Sequence, residues 1–156
     1  MGLYKSLVIN FGLCNAPATF QMFMDEQFKD LIATGHVVVY LNDILIFADN
    51  ETELEQLTHK VLQHLLYLDL FLRTEKCSFN KTAVEYLGLI ISEGELRMDP
   101  VKLTAIKQWP RPKTVKDIQK FLGFCNFYRR FVKAYLELAR PLFNLTKKGM
   151  PFLWTE

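Results

Sequence analysis

The residues most suited to chemistry in this chain stand next to each other, at Asn42 and Asp43. They separate two apolar, β-branched runs, residues 37–41 and 44–47, which have the composition of β-strands. Asparagine and aspartate tolerate the left-handed backbone conformations of a tight turn. The pattern therefore predicts a β-hairpin that turns at Asn42-Asp43 and carries carboxylate chemistry at its tip.

The second region suited to chemistry is strongly basic. Residues 1–99 carry 7 Lys and Arg against 14 Asp and Glu, whereas residues 100–148 carry 12 against 2. The basic region also contains an aromatic and arginine cluster, Phe127-Tyr128-Arg129-Arg130-Phe131. Phosphates attract cations and aromatic rings pack on sugars or bases, so this composition is typical of nucleic-acid binding. A solvated helix face with its aromatic residues in the core explains the composition equally well.

Two helices are predicted on either side of the hairpin. The first has Asn15 as its N-cap and Pro17 in its first turn, and apolar residues at helical spacing extend it to about Ala33. The second is predicted over residues 51–69, because Asn50 and a glutamate three residues later form a capping-box pattern before an apolar stripe.

The rest of the chain predicts a second pair of strands and then helices. Residues 84–91 and 95–98 are the strands, and Gly94 marks the turn between them. Helices are predicted at residues 100–108, from Thr114 with Asp117 as its capping partner, and at about 135–146.

Cysteine content and hydropathy exclude several classes of protein. Cys14, Cys77 and Cys125 are odd in number and widely spaced, which indicates neither a disulfide framework nor a zinc site. No run of 18 apolar residues is present, and the N-terminus lacks the pattern of a secretory signal. We expect an intracellular protein, cytoplasmic or nuclear, with no membrane partner.

Six blocks of sequence occur in a fixed order along the chain. They are residues 11–21 (FGLCNAPATFQ), Tyr40-Leu41-Asn42-Asp43, Lys76 in Glu75-Lys76-Cys77, Tyr86-Leu87-Gly88, Phe121-Leu122-Gly123 with Asn126–Phe131, and residues 151–156. Together they resemble the reverse transcriptases of Ty3/gypsy-type long-terminal-repeat retrotransposons, in which the hairpin block is the Y-x-D-D box. The order and spacing of the blocks over nearly the whole chain exclude a chance match.

The resemblance implies an α+β fold. We expect a polymerase palm-like small antiparallel sheet backed by helices, followed by an all-helical thumb. Residues 1–99 would be a partial palm without the fingers and the first catalytic strand. Residues 100–156 would be the thumb and the start of the connection toward RNase H.

The resemblance also implies roles for individual residues. Phe11, Gly12, Tyr40 and Lys76 would bind the nucleotide, although Lys76 is equally explained as a solvated cation. The residues expected to contact nucleic acid are Pro17 on the template side, Tyr86, Leu87 and Gly88 in the primer grip, and Arg129 and Arg130 in the thumb. Without fingers, Phe11, Gly12 and Pro17 are alternatively exposed structure.

The catalytic residues implied by the resemblance depart from the family pattern. Such polymerases use two Mg²⁺ or Mn²⁺ ions held by three aspartates. One aspartate is expected upstream of this sequence, and the first aspartate of the Y-x-D-D box is Asn42 here. Asp43 remains as the catalytic and metal-binding carboxylate. We expect a truncated reverse transcriptase that is catalytically inactive but still binds a DNA or RNA–DNA primer–template duplex.

Two alternatives stay open. One is residual metal-dependent polymerase or nuclease activity, with Mg²⁺ or Mn²⁺ as its cofactor. The other is a self-associating structural module. The hairpin would then have an open edge, unless it pairs with residues 3–9, and a homodimer would form through exposed palm surface.

Overall fold

The chain divides after Leu87 into two compact units. The computed structural model describes residues 8–10 and 12–154. The elements of the first unit are α1 (Ala16–Gln27), α2 (Lys29–Ala33), β1 (Val37–Tyr40), β2 (Asp43–Ile46), α3 (Glu51–Tyr67), a 3₁₀ turn (Thr74–Lys76) and β3 (Ala83–Tyr86). Those of the second are β4 (Leu89–Ser92), β5 (Glu95–Met98), α4 (Pro100–Lys107), α5 (Val115–Phe127), a 3₁₀ turn (Arg129–Phe131) and α6 (Tyr135–Leu145).

The core of the first unit forms between its hairpin and its helices. Alternate residues of a strand face opposite sides, and in β1 the buried side chains are Val37 and Val39. They pack in one apolar cluster with Met24 of α1, with Phe28 at the C-cap of α1, and with Val61 and Leu65 of α3. The helices thereby hold the hairpin from one face.

The first helical segment breaks where the sequence predicts continuity. Helix α1 ends before Phe28, and α2 starts at Lys29. Phe28 is fully buried and has φ −97° and ψ 8°, so regular helix geometry is interrupted at the residue whose ring enters the core. The predicted Asn15 N-cap position is confirmed, although its side chain makes no capping hydrogen bond.

Helix α3 follows its prediction closely. The Asn50 side chain accepts a hydrogen bond from the backbone N–H of Glu53 at 2.9 Å. One face of the helix is buried through Leu57, Val61 and Leu65. The amphipathic stripe therefore predicted the buried face of this helix, which begins at the predicted residue and ends at Tyr67, two residues before the predicted end.

The predicted strand over residues 84–91 is wrong as a single strand. It is divided into β3 and β4 by Leu87 and Gly88, whose φ angles are 50° and 76°. A chain with two successive residues in the left-handed region cannot continue as an extended strand. The turn predicted at Gly94 is confirmed, since β4 and β5 pair antiparallel with Ser92 opposite Glu95.

The second unit has a small helical core. Ile118 and Leu122 of α5 are buried against Ala139 of α6. Helix α5 begins with the predicted capping box, in which Thr114 and Asp117 each cap the other's backbone N–H. Helices and small antiparallel sheets together confirm the predicted α+β class.

Among residues 8–10 and 12–154, no helix is both long enough and apolar enough to span a bilayer.

Candidate functional site

The tip of the β1–β2 hairpin differs by one residue from its prediction. Tyr40 pairs with Asp43, so the two turn residues are Leu41 and Asn42, and Asp43 is the first residue of β2. Leu41 has a φ of 52°, in the left-handed region that non-glycine residues rarely adopt. Asn42 and Asp43 are both exposed. The turn therefore presents an amide and a carboxylate side by side to solvent.

Gln21 on α1 holds this strained turn in place. Its Oε1 accepts the Leu41 backbone N–H at 2.6 Å, and its Nε2 donates to the Val39 carbonyl at 3.3 Å. Because Tyr40 pairs with β2, the polar groups of Val39 and Leu41 face the opposite edge of β1. The side-chain amide of Gln21 thus occupies the place of a peptide group in a neighbouring strand.

Sequence reasoning gave Gln21 no role, although a signal was available. Gln21, Met24 and Phe28 are spaced i, i+3, i+7, which places the glutamine on the face of α1 that the other two residues bury. A polar side chain on a buried helix face needs a hydrogen-bond partner. Its Nε2 also donates to the Asp25 carboxylate at 2.7 Å, one turn further along α1.

Tyr86 is the second residue that the structure brings to the hairpin. Its hydroxyl donates to the backbone carbonyl of Asp43 over 3.5 Å, which is a long hydrogen bond. Partial burial raises the pKa of Tyr86 above its ordinary value, and the negative charge of Asp43 raises it further. Tyr40, at the end of β1, is half exposed. Two of the predicted site tyrosines therefore lie beside the carboxylate.

Three more of the predicted site residues, Gly12, Pro17 and Lys76, are exposed at other points of the first unit. Gly12 has a φ of 91° and no atom within 4 Å of where a Cβ would be. Pro17 lies in the first turn of α1, and Lys76 ends the first 3₁₀ turn. Phe11 lies outside the described residues. In the part of the chain that is described, no hydrogen bond or ion pair joins the Lys76 side chain to Asp43.

The hairpin tip offers few ligands for a divalent metal. Asp43 provides one carboxylate, and Asn42 provides an amide oxygen without charge. Mg²⁺ prefers oxygen ligands and is usually held through carboxylates, and a two-metal centre needs several of them. Within residues 8–10 and 12–154, no three His, Cys, Asp or Glu side chains are grouped so as to hold a metal ion. These residues alone therefore do not fit a two-metal centre.

Gly88 lies against a buried tyrosine of the second unit. The Tyr128 hydroxyl donates to the Gly88 carbonyl at 3.4 Å, and a Cβ added to Gly88 would come within 3.1 Å of that oxygen. Tyr128 is 5% exposed. Both its close neighbour and its positive φ therefore favour glycine at position 88.

The aromatic and arginine cluster divides between core and surface. Tyr128 is buried, whereas Phe127 is 54% exposed and Phe131 is 36% exposed. Arg129 and Arg130 are exposed as well. Part of the cluster therefore lies in the core and part on the surface, and the exposed part combines cations with accessible rings.

Comparison with known proteins gives a consistent set of similarities. Residues 1–91 match the family model of reverse transcriptase (RNA-dependent DNA polymerase). The chain is 40% identical over 148 residues to the retrovirus-related Pol polyprotein from transposon opus of Drosophila melanogaster, covering 94% of this chain and 14% of that protein. It is 34% identical over 154 residues to the Tf2-3 polyprotein of Schizosaccharomyces pombe, covering 99% and 12%. The chain thus spans a small part of the relatives it matches.

Two solved structures have the same fold over nearly the whole chain. The foamy viral protease–reverse transcriptase in complex with double-stranded DNA has a TM-score of 0.82 at 27% identity, covering 92% of this chain and 25% of that one. The complex with an RNA/DNA hybrid has a TM-score of 0.78 at 26% identity, covering 94% and 20%. These similarities confirm the predicted palm-and-thumb type of fold.

Proposed function

Since the chain belongs to the reverse transcriptase family, and to the type found in Ty3/gypsy retrotransposons, we propose that it binds a primer–template duplex and that Asn42 deprives it of polymerase activity. The observation that carries the first half is the exposed basic and aromatic surface of the second unit. The observation that carries the second half is the hairpin tip, where an uncharged amide stands beside the single carboxylate of Asp43.

Charge and similarity both support duplex binding. The region 100–148 has ten more cationic than anionic residues, and duplex phosphates are the natural partner of such a surface. The two solved structures compared above are complexes with double-stranded DNA and with an RNA/DNA hybrid. We assign nucleic-acid contacts to Pro17, Tyr86, Leu87, Gly88, Arg129 and Arg130.

A salt titration with paired variants tests the binding. Removing two phosphate contacts with Arg129→Gln/Arg130→Gln should reduce the slope of log affinity against log salt by about 2, because each contact contributes about 0.9. Lys147→Gln/Lys148→Gln removes the same charge from exposed positions after α6 and is the matched control. Equal effects of the two variants, or binding of the unaltered chain that does not depend on salt, would refute duplex binding through the two arginines.

The proposed nucleotide site is centred on the hairpin. We assign Asp43 to this site as its metal-binding carboxylate. Tyr40, Phe11, Gly12 and Lys76 are assigned as its nucleotide contacts. Mg²⁺ or Mn²⁺ is the cofactor of any activity that remains. Because the affinity of oxygen sites for hard cations depends on the number of charged ligands, Asn42 weakens metal binding at this point.

Manganese binding tests the role of Asn42 without requiring catalysis. Paramagnetic Mn²⁺ held at the tip broadens the amide signals of nearby residues such as Leu41. We expect Asn42→Asp to lower the Mn²⁺ concentration that gives half of the maximal line broadening by about tenfold, because a second carboxylate is then available beside that of Asp43. Asp43→Asn should abolish the broadening. An Asn42→Asp chain that binds Mn²⁺ no better than the unaltered chain would contradict the explanation.

Two other functions remain as outcomes of these assays. Residual polymerase or nuclease activity is favoured by the exposure of Asp43, and it would appear as metal-dependent product that Asp43→Asn removes. Self-association as a homodimer is favoured by exposed apolar side chains around the end of α3, Leu66, Tyr67 and Phe71, which are 72%, 82% and 87% exposed. Sedimentation that shows only monomer at high concentration would exclude it.

A further inference from the structure

We propose that a crevice beside Trp109 in the second unit binds one unpaired nucleotide of a single-stranded nucleic acid. The crevice has a volume of about 400 Å³ and lies between the end of α4, the loop that follows it and the first turns of α5. The side chains that matter for binding are Gln108, Trp109, Arg111, Lys113, Asp117 and Lys120. This site goes beyond the proposed duplex contacts, none of which line it.

Two prolines restrict the backbone that forms the wall of the crevice. Residues 109–113 read Trp-Pro-Arg-Pro-Lys, and each proline fixes its own φ and restricts the residue before it. The Arg111 Nη2 donates to the Trp154 carbonyl at 3.3 Å, which holds the guanidinium group at the crevice. A site with fixed walls loses little conformational entropy when a ligand enters it.

The charges in the crevice favour an anion. Three cations line it, Arg111, Lys113 and Lys120, against one carboxylate. That carboxylate, Asp117, is engaged in capping α5: its Oδ2 accepts from two backbone N–H groups and from the Thr114 hydroxyl. The ion pairs formed among the described residues lie elsewhere and involve none of the three cations. An external phosphate would therefore meet cations that have no salt-bridge partner in the described chain.

Trp109 gives the crevice an aromatic side that suits a base. Its ring packs against Phe121 and Phe124 of α5, with ring centroids 5.4 Å away in both cases, so aromatic contacts hold its position. The residue is only partly buried and lines the crevice. Proteins that bind single strands combine cations along the backbone with aromatic rings on which bases stack. Both features are present within one crevice here.

The geometry favours an unpaired nucleotide over other anions. The bases of a duplex are stacked and paired, so they cannot enter a crevice of this size. An acidic peptide supplies negative charge, but its carboxylate side chains have no planar ring to stack on Trp109. A volume of about 400 Å³ is at the lower end of the roughly 300 to 1,000 Å³ typical of small-ligand pockets, which suits a single base with its sugar and phosphate.

Tryptophan fluorescence tests the proposal directly. The chain has two tryptophans, so Trp154→Phe leaves Trp109 as the single tryptophan fluorophore. The Trp154→Phe chain is titrated with oligothymidylate, with a blunt-ended duplex and with polyglutamate, and the unaltered chain is titrated in parallel. We expect oligothymidylate to quench Trp109 by base stacking and the other two polyanions to quench it at least about tenfold less efficiently.

A charge-matched pair of variants then separates the crevice from the general positive charge. Arg111→Gln/Lys113→Gln/Lys120→Gln should weaken oligothymidylate binding by about tenfold or more, and it should reduce the salt slope by about 0.7 for each phosphate contact that is lost. The control Lys107→Gln/Lys147→Gln/Lys148→Gln removes the same charge outside the crevice and should change affinity much less. Equal weakening in both variants, no quenching by oligothymidylate, or equal quenching by duplex or polyglutamate would each overturn the proposal.

Discussion

Replacing Gln21 with leucine should loosen the hairpin tip selectively. The substitution keeps a side chain of similar size but removes the acceptor for the Leu41 N–H at 2.6 Å and the donor to the Val39 carbonyl at 3.3 Å. A neutral hydrogen bond contributes about 0.5 to 1.5 kcal/mol, so the two together correspond to about 2 kcal/mol. Because Leu41 is held in the left-handed region, where a non-glycine residue is strained, we expect the loss of these two bonds to be largest at its turn.

Amide hydrogen exchange at Leu41 measures this loss residue by residue. A loss of about 2 kcal/mol in the opening free energy corresponds to about 30-fold faster exchange of the Leu41 amide. Gln63→Leu is the matched control, since Gln63 is an exposed glutamine of α3 whose Nε2 lies 3.0 Å from the Nε2 of the His59 ring in the same helix. Exchange at Leu41 that stays within about twofold in Gln21→Leu, or that rises as much in Gln63→Leu, would refute the role of Gln21.

Two further predictions concern Gly88 and Tyr86. Gly88→Ala should destabilise the second unit by more than the roughly 1 kcal/mol expected for Gly94→Ala. Both glycines have positive φ, but only a Cβ at position 88 would come within 3.1 Å of the Tyr128 hydroxyl. Tryptophan-monitored urea unfolding compares the two variants, and equal losses of unfolding free energy would exclude a role for that contact. The Tyr86 phenol should titrate above its ordinary pKa, and Asp43→Asn should lower that pKa without restoring it fully, because burial is the larger cause. The difference in absorbance between the unaltered chain and Tyr86→Phe, followed against pH, measures the Tyr86 pKa. The stability that the neutral phenol contributes is present below the ordinary tyrosine pKa and is lost as the pH rises through the raised pKa.

Local sequence patterns predicted the elements whose signals are short-range. The α3 stripe and the Thr114–Asp117 capping box depend on residues three and four apart, and both were confirmed. The interruption at Phe28 was not predictable in this way, because apolar spacing continues through it and residues 21–33 contain no glycine or proline to mark a helix end. Phe28 is fully buried, and burial in a tertiary core is not a short-range signal.

The candidate site was predicted only in part, because some of its features depend on packing and not on local residue preference. The pattern located the hairpin and its carboxylate, but it assigned the turn to Asn42-Asp43 because those residue types favour turns. The register instead places Leu41 in the strained position, where the Gln21 amide satisfies its N–H. The register depends on which face of the hairpin packs into the core, and the contact between Gln21 and Leu41 joins residues 20 positions apart, so residue preference alone could not give them.

The central claim is that this chain binds a primer–template duplex without extending the primer. One assay tests it: the purified chain is mixed with a labelled RNA–DNA primer–template and nucleotides, Mg²⁺ or Mn²⁺ is titrated, and bound fraction and product are read from the same samples. We predict salt-sensitive binding and no product at any metal concentration. Metal-dependent extension or cleavage that Asp43→Asn abolishes would contradict the claim, and absence of binding at low salt would contradict it as well.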